Sequence, residues 1–255
     1  MNHFVSSRRF TLMAQKYSNP PLVESLVEFR FGLEDPNDPT LPGLLYSEIK
    51  EQFPNRANRN IAFPSPNGDG KEIELKLTPL AQFRNTDDSM LVQVGGNLLT
   101  INCINKYVGW DLFSSTIKNT YKQYCQLAAP SKVIRIGFRC INKFDFPKSE
   151  VNLNDYFEFL PTRPSILTSP YNHFGIHIEC PENDNRDLLI MKNNSVVSNI
   201  PDNIGVMLDM EYATQNGIVL DTNEEVIIDW IENAHTKLKD AFESSITNIL
   251  RKTFD

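Results

Sequence analysis

The chain is short of the residues that most catalytic and extracellular signatures are built from. Among 255 residues there are four cysteines, Cys103, Cys125, Cys140 and Cys180, and no two stand close enough to suggest a zinc pair or a dense disulfide framework. They read as reduced thiols of a cytoplasmic protein. No apolar run approaches the ~20 residues of a membrane-spanning helix. A glycine-rich phosphate loop is also missing: residues 63–70 carry Gly68 and Gly70 but lack the Gly-Lys-Ser/Thr ending and lead into a strand, so they read as a turn. There is no HExxH, no dinucleotide fingerprint and no nucleophile elbow. Positive charge is scarce as well. The net charge is −7, and residues 130–255 hold all of it, with 12 Lys and Arg against 19 Asp and Glu. Nucleic acid is a poor first choice of partner for such a half.

What is present is a globular composition, 40% hydrophobic and 22% charged, enough for a sizeable core. Residues 1–16 contain Arg8, Arg9 and Lys16 and no acid. They form too short an apolar stretch for a signal peptide and read as an extension, with Met13 an alternative start. After Asn19-Pro20-Pro21, Val23, Val27, Phe29 and Phe31 alternate with Glu24, Glu28 and Arg30, which predicts a half-buried strand. A short helix follows on Leu41, Leu44, Leu45, Ile49 and Phe53, then strands that include a hairpin around Gly95-Gly96, then a helix from Trp110 that ends before Pro130. The order is expected to recur: a strand at 133–141, a short helix at 153–160, strands at 172–180, 188–191 and 206–212, and a closing helix. Thr222 and Glu225 suggest its capping box, and Ile227, Trp230, Ile231, Ala234, Leu238, Phe242, Ile246 and Ile249 its apolar face.

The pattern implies an α+β fold of two similar halves, 17–129 and 130–255, each strand, helix, antiparallel strands, helix. That order is similar to the duplicated TATA-binding-protein fold and to helix-grip domains, a likeness of topology that carries no function.

Four segments, Asn19 to Glu24, Arg135 to Asn142, Leu208-Asp209-Met210-Glu211 and the helix from Ala234-His235 to Phe242, together resemble an uncharacterised, sporadically distributed family of bacterial proteins. Phe138 and Cys140 stand where that pattern has a Leu and an aromatic. The resemblance spans about residues 17–250. It implies mobile genes, and with them an accessory role of the defence or toxin-antitoxin type.

Several residues could carry chemistry. His177 and Glu179 share a strand face ~7 Å apart, as two ligands of a metal would, while His173 lies too far along to join them without a bulge. A solvent-facing polar side explains them equally and is preferred. Asp209 and Glu211 share a face and could do acid-base work or hold a cation. Arg135 and Arg139 likewise could grip a phosphate or an acidic partner, although pairing with Asp209 or Glu211 on a neighbouring strand is the preferred use. His235 sits at the border of the closing helix's apolar stripe, a candidate base or a packed side chain. The leading expectation is therefore a non-enzymatic protein-binding or regulatory protein without a cofactor, off the membrane, whose partner is a protein of basic character and for which an oligomer is compatible. The rivals are a metal- or carboxylate-dependent enzyme using His177, Glu179, Asp209 and Glu211, and a nucleic-acid binder acting through the sheet.

Overall fold

Alternation in β1 (Leu22–Gly32) sets the two sides of the sheet. Ser25, Val27, Phe29 and Phe31 are buried, whereas Glu24, Leu26, Glu28 and Arg30 point the other way and stay half-exposed. In the computed structural model, which describes residues 17–66, 73–148, 151–162, 164–166 and 173–255, the elements that follow are α1 (Leu41–Ile49), β2 (Asn55–Pro66), β3 (Ile73–Arg84), β4 (Met90–Gly95), β5 (Leu98–Ile104), α2 (Trp110–Ala128), β6 (Lys132–Pro147), β7 (Gly175–Glu182), β8 (Asp187–Val197), β9 (Asn203–Thr214), α3 (Glu224–Ser245) and α4 (Asn248–Arg251). The fold is α+β. All nine strands join one antiparallel sheet in the order β2-β3-β4-β5-β1-β6-β9-β8-β7.

The long helices cover one side. On α2, Phe113, Ile117, Tyr121 and Tyr124 are buried, with Tyr121 against Phe29 at 5.0 Å and Tyr124 stacked on Phe31 at 4.6 Å between ring centroids. On α3, Ile227, Trp230, Ile231, Ala234 and Leu238 are buried. Each such large apolar side chain contributes roughly 1.5–3 kcal/mol by leaving water. No helix among the described residues is long and apolar enough to cross a membrane.

Several local expectations shift. The cap of α3 is Asn223, whose side chain accepts from the Glu225 and Val226 amides, in place of Thr222. An Asx side chain one residue closer reaches the free N–H groups of the first turn, and Asp221 in turn accepts from the Asn223 amide. The apolar stripe does not run on to Ile249: α3 ends at Ser245, Ile246 is extended, and Ile249 on α4 is exposed. The short helix expected at 153–160 is a single 3-10 turn at Leu153–Asp155. In the hairpin the turn residues are Gly96 and Asn97, with Gly95 still paired to Leu98 and Gly96 at φ +57°. The strands are longer than their apolar patterns, because β6 and β9 pair over eleven residues whatever faces solvent. The stretch at 172 and most of 63–70 lie outside the described residues or side chains.

A buried carboxylate ties the last strands to α3. Asp187, at the start of β8, is fully buried. It accepts from Trp230 Nε1 at 3.0 Å, Asn183 Nδ2 at 2.7 Å, Tyr212 Oη at 3.1 Å and the Arg186 guanidinium at 2.6 Å. Burial alone would raise its pKa, but the hydrogen bonds from Arg186, Trp230 and Asn183 outweigh it and hold the carboxyl below the ordinary range.

Candidate functional site: the open face of the sheet

The side of the sheet away from the helices gathers six of the seven residues singled out from the sequence. Period-two alternation puts Arg135 and Arg139 of β6, Asp209 and Glu211 of β9, and His177 and Glu179 of β7 on the same face as Glu24, Glu28 and Arg30 of β1. His235 is elsewhere. It lies on the helix side, its ring stacked on Trp110 at 3.7 Å and 2° between planes, with Phe138 next in the stack at 6.3 Å. Burial, assisted by Lys239, lowers its pKa to about 4. That keeps the imidazole neutral and packed.

At the centre, the acids and arginines are paired. Arg139 meets Asp209 through two bonds, Nε to Oδ1 at 2.7 Å and Nη2 to Oδ2 at 2.6 Å. The fork-to-fork geometry fixes both side chains, and the bond to Asp209 is the main reason the Arg139 pKa is raised. Arg135 reaches sideways across its own strand, donating to Glu28 at 3.2 Å and to Glu211 on the other side. Glu28 also accepts from Arg30 at 3.0 Å. Gly137 makes this crossing possible: a Cβ there would stand 2.8 Å from both Arg135 Nη1 and Glu211 Oε1. A glycine inside a central strand marks such a close approach, and this was the signal in the sequence for the arrangement.

Neutral amides extend the pattern toward β3. The register sets Gln82 beside Gln93, Gln93 beside Thr100, Thr100 beside Glu28 and Glu28 beside Gly137. Gln82 donates to Gln93 at 2.8 Å, Gln93 to Thr100 at 3.0 Å, Thr100 to Asn102 at 2.8 Å, and Asn102 to Glu24 at 2.8 Å. Sequence reasoning missed this row, since Gln, Thr and Asn on separate strands have no spacing in common.

His177 and Glu179 lie toward the far edge, Nε2 to Oε1 at 3.1 Å, both half-exposed. Lys192 stands opposite both His177 and Asp209, and Ile190 opposite both Glu179 and Glu211. No group of three His, Cys, Asp or Glu able to hold a metal occurs among the described residues. His173 precedes β7 and borders a separate hollow of about 750 Å³ with Asn152, Ser195 and Asp202. The four cysteines are free thiols, and burial pushes Cys140 up to about 12 and Cys125 to about 11, far from a nucleophile's range.

No protein-family model and no curated protein matches this chain.

Proposed function

We propose that the protein is a non-enzymatic binding or regulatory component whose working surface is the open face of the sheet, and that its partner is another protein. One observation carries the reading. On the face away from the long helices, arginines, carboxylates and amides from six strands are fixed in one another's hydrogen bonds, with Gln82, Thr100, Asn102 and Asp209 buried and Arg135, Arg139 and Glu28 half-exposed. Fixed polar groups lose little entropy on binding and select a partner by matching its charges. The arginines already direct donors at carboxylates, which supports a mixed-sign protein surface over a run of phosphates. Asp209 and Glu211 face guanidinium groups, so neither is poised as a base or a cation ligand.

The strand order supports the duplication read from the sequence. β1 and β6 meet at the centre, β5 and β9 flank them, and each of the last two is the final strand before a long helix. The copies would have diverged, with four strands and a full helix after β1 but three strands and a 3-10 turn after β6. The resemblance to a sporadically distributed bacterial family supports an accessory role, so partners are sought first among the products of adjacent genes. Mixing each with the purified protein should give a complex on size exclusion that weakens as salt is raised. The double variant Arg139→Ala/Asp209→Ala should lose the complex while keeping its fold. Unchanged binding by that variant would move the working surface elsewhere, and stoichiometric metal lost on His177→Ala would favour the enzyme.

A further inference from the structure

The other end of the sheet offers a second surface, independent of the open face. β2 is the terminal strand there, and its outer edge meets no strand among the described residues. Residues 55–60, Asn-Arg-Ala-Asn-Arg-Asn, are exposed at every position. Beside them runs an open groove of about 390 Å³ between β2 and α1, lined by Pro42, Gly43, Tyr46, Arg56, Ala81 and Phe83 among others. Tyr46 and Phe83 form its apolar wall at 5.2 Å between rings, Ala81 keeps its floor low, and the Arg56 guanidinium lies 5.4 Å over the Tyr46 ring.

We propose that this edge binds an extended acidic peptide, which adds to the sheet as a tenth strand and sets an apolar side chain in the groove. A free strand edge supplies main-chain donors and acceptors, and an adjoining helix supplies the side-chain pocket, the two parts that strand addition requires. Charge decides the occupant. β2 carries Arg56 and Arg59 and no acid, no acid lines the groove, and neither arginine makes an ion pair with a described residue, whereas nearby Arg84 is paired with Asp88 at 2.7 Å. A second copy is disfavoured: antiparallel self-pairing of this edge would gather Arg56 and Arg59 of both copies, four cations and no acid, along one short seam, and charged residues on an edge strand work against such pairing. The register adds a spacing rule. Arg56 stands opposite Phe83, on the groove side, and Arg59 opposite Leu80, on the open side. Two acids three residues apart along an extended peptide fall on opposite faces in the same way.

The test uses the full chain and the labelled, end-capped peptide Ser-Glu-Val-Leu-Glu-Ser, with Ser-Lys-Val-Leu-Lys-Ser as its control. The acidic peptide should bind with a Kd below about 1 mM that weakens with salt, and it should slow amide exchange at residues 55–60. The Lys peptide should bind at least about tenfold more weakly, a difference of about 1.4 kcal/mol. Arg56→Glu/Arg59→Glu should abolish binding of the acidic peptide. Gly43→Leu keeps the fold testable, because a Cβ at Gly43 meets nothing within 4 Å; it should fill the groove and weaken binding by about tenfold or more with no loss of thermal stability. Arg139→Ala/Asp209→Ala, which tests the open face, should leave peptide binding unchanged. Absence of binding by the acidic peptide, equal binding of the Lys peptide, protection away from β2, or a dimer through β2 that the peptide does not dissociate would each overturn the proposal.

Discussion

The two faces of the sheet handle charge in opposite ways. Under the helices, Asp187 is fully buried and accepts from the buried Trp230 and Tyr212 as well as from the exposed Asn183 and Arg186, so its hydrogen bonds hold β8 to α3 and serve the fold. On the open face, Asp209 is also almost covered and its partner Arg139, at 40% exposed, stands much as Arg186 does at 44%; the difference is that Asp187 accepts from the buried Trp230 and Tyr212 as well, whereas Asp209 is held by Arg139, with Arg135 and Glu28 half out beside it. The same guanidinium–carboxylate chemistry fastens the core on one side and presents a fixed surface on the other. Burial, and not residue type, assigns the role.

The comparison breaks most sharply at Trp230. Trp230→Ala removes a buried aromatic and one donor to Asp187, and should cost about 3–5 kcal/mol in chemical denaturation. A cost under about 1 kcal/mol would mean that the helix-covered face is not the core. Asp187→Ala should follow at about 3 kcal/mol, since it leaves the buried Trp230 and Tyr212 donors unsatisfied. A surface-like loss would show that the carboxylate is not sealed.

Acid should separate the faces next. His235 has a folded pKa of about 4 against an ordinary 6.5, so the fold favours its neutral form. That contribution is complete above about pH 6.5 and is lost as pH falls toward about 4. Asp187, also lowered, loses its share at still lower pH, as the solution falls through its depressed pKa. Melting temperature should therefore drop between about pH 7 and about pH 4.5 in the wild type and drop less in His235→Phe. Equal drops would mean that His235 is solvated.

The smallest effect belongs to the open face. A double-mutant cycle on Arg139→Ala and Asp209→Ala should return a coupling of about 1 kcal/mol, above that of an exposed pair because the contact is bidentate but below that of a sealed one. A coupling near zero would remove the idea that this face is held rigid.

How far the site was readable follows from distance along the chain. The alternation of Val27, Phe29 and Phe31 with Glu28 and Arg30 needs only neighbouring residues, as does the stripe from Ile227 to Leu238, and both predicted their buried sides. The sharing of one face by Arg135 and Arg139, or by Asp209 and Glu211, is equally local. Gly137 was visible as a glycine inside a strand, but its reason, the guanidinium lying across it, depends on β9. The amide row from Gln82 to Glu24 spans four strands and left no spacing to find. Asp187 stood among Asn183, Asp184 and Arg186 as one more polar loop residue; only its meeting with Trp230, 43 positions away, made it a buried knot.

By itself, then, the sequence determined where the two long helices and most of the strands lie and which side of β1, β6 and β9 is apolar, but not where each element ends, because the first depends on periods of 2 and 3.6 residues and the second on pairing with distant strands. The tertiary structure alone decided which strands are neighbours. That order placed β1 beside β6, brought Arg135 between Glu28 and Glu211, left β2 at an edge, and turned the same kinds of charged residue into a buried knot on one face and a presented surface on the other, since pairing across strands and exposure to water are properties of the assembled sheet.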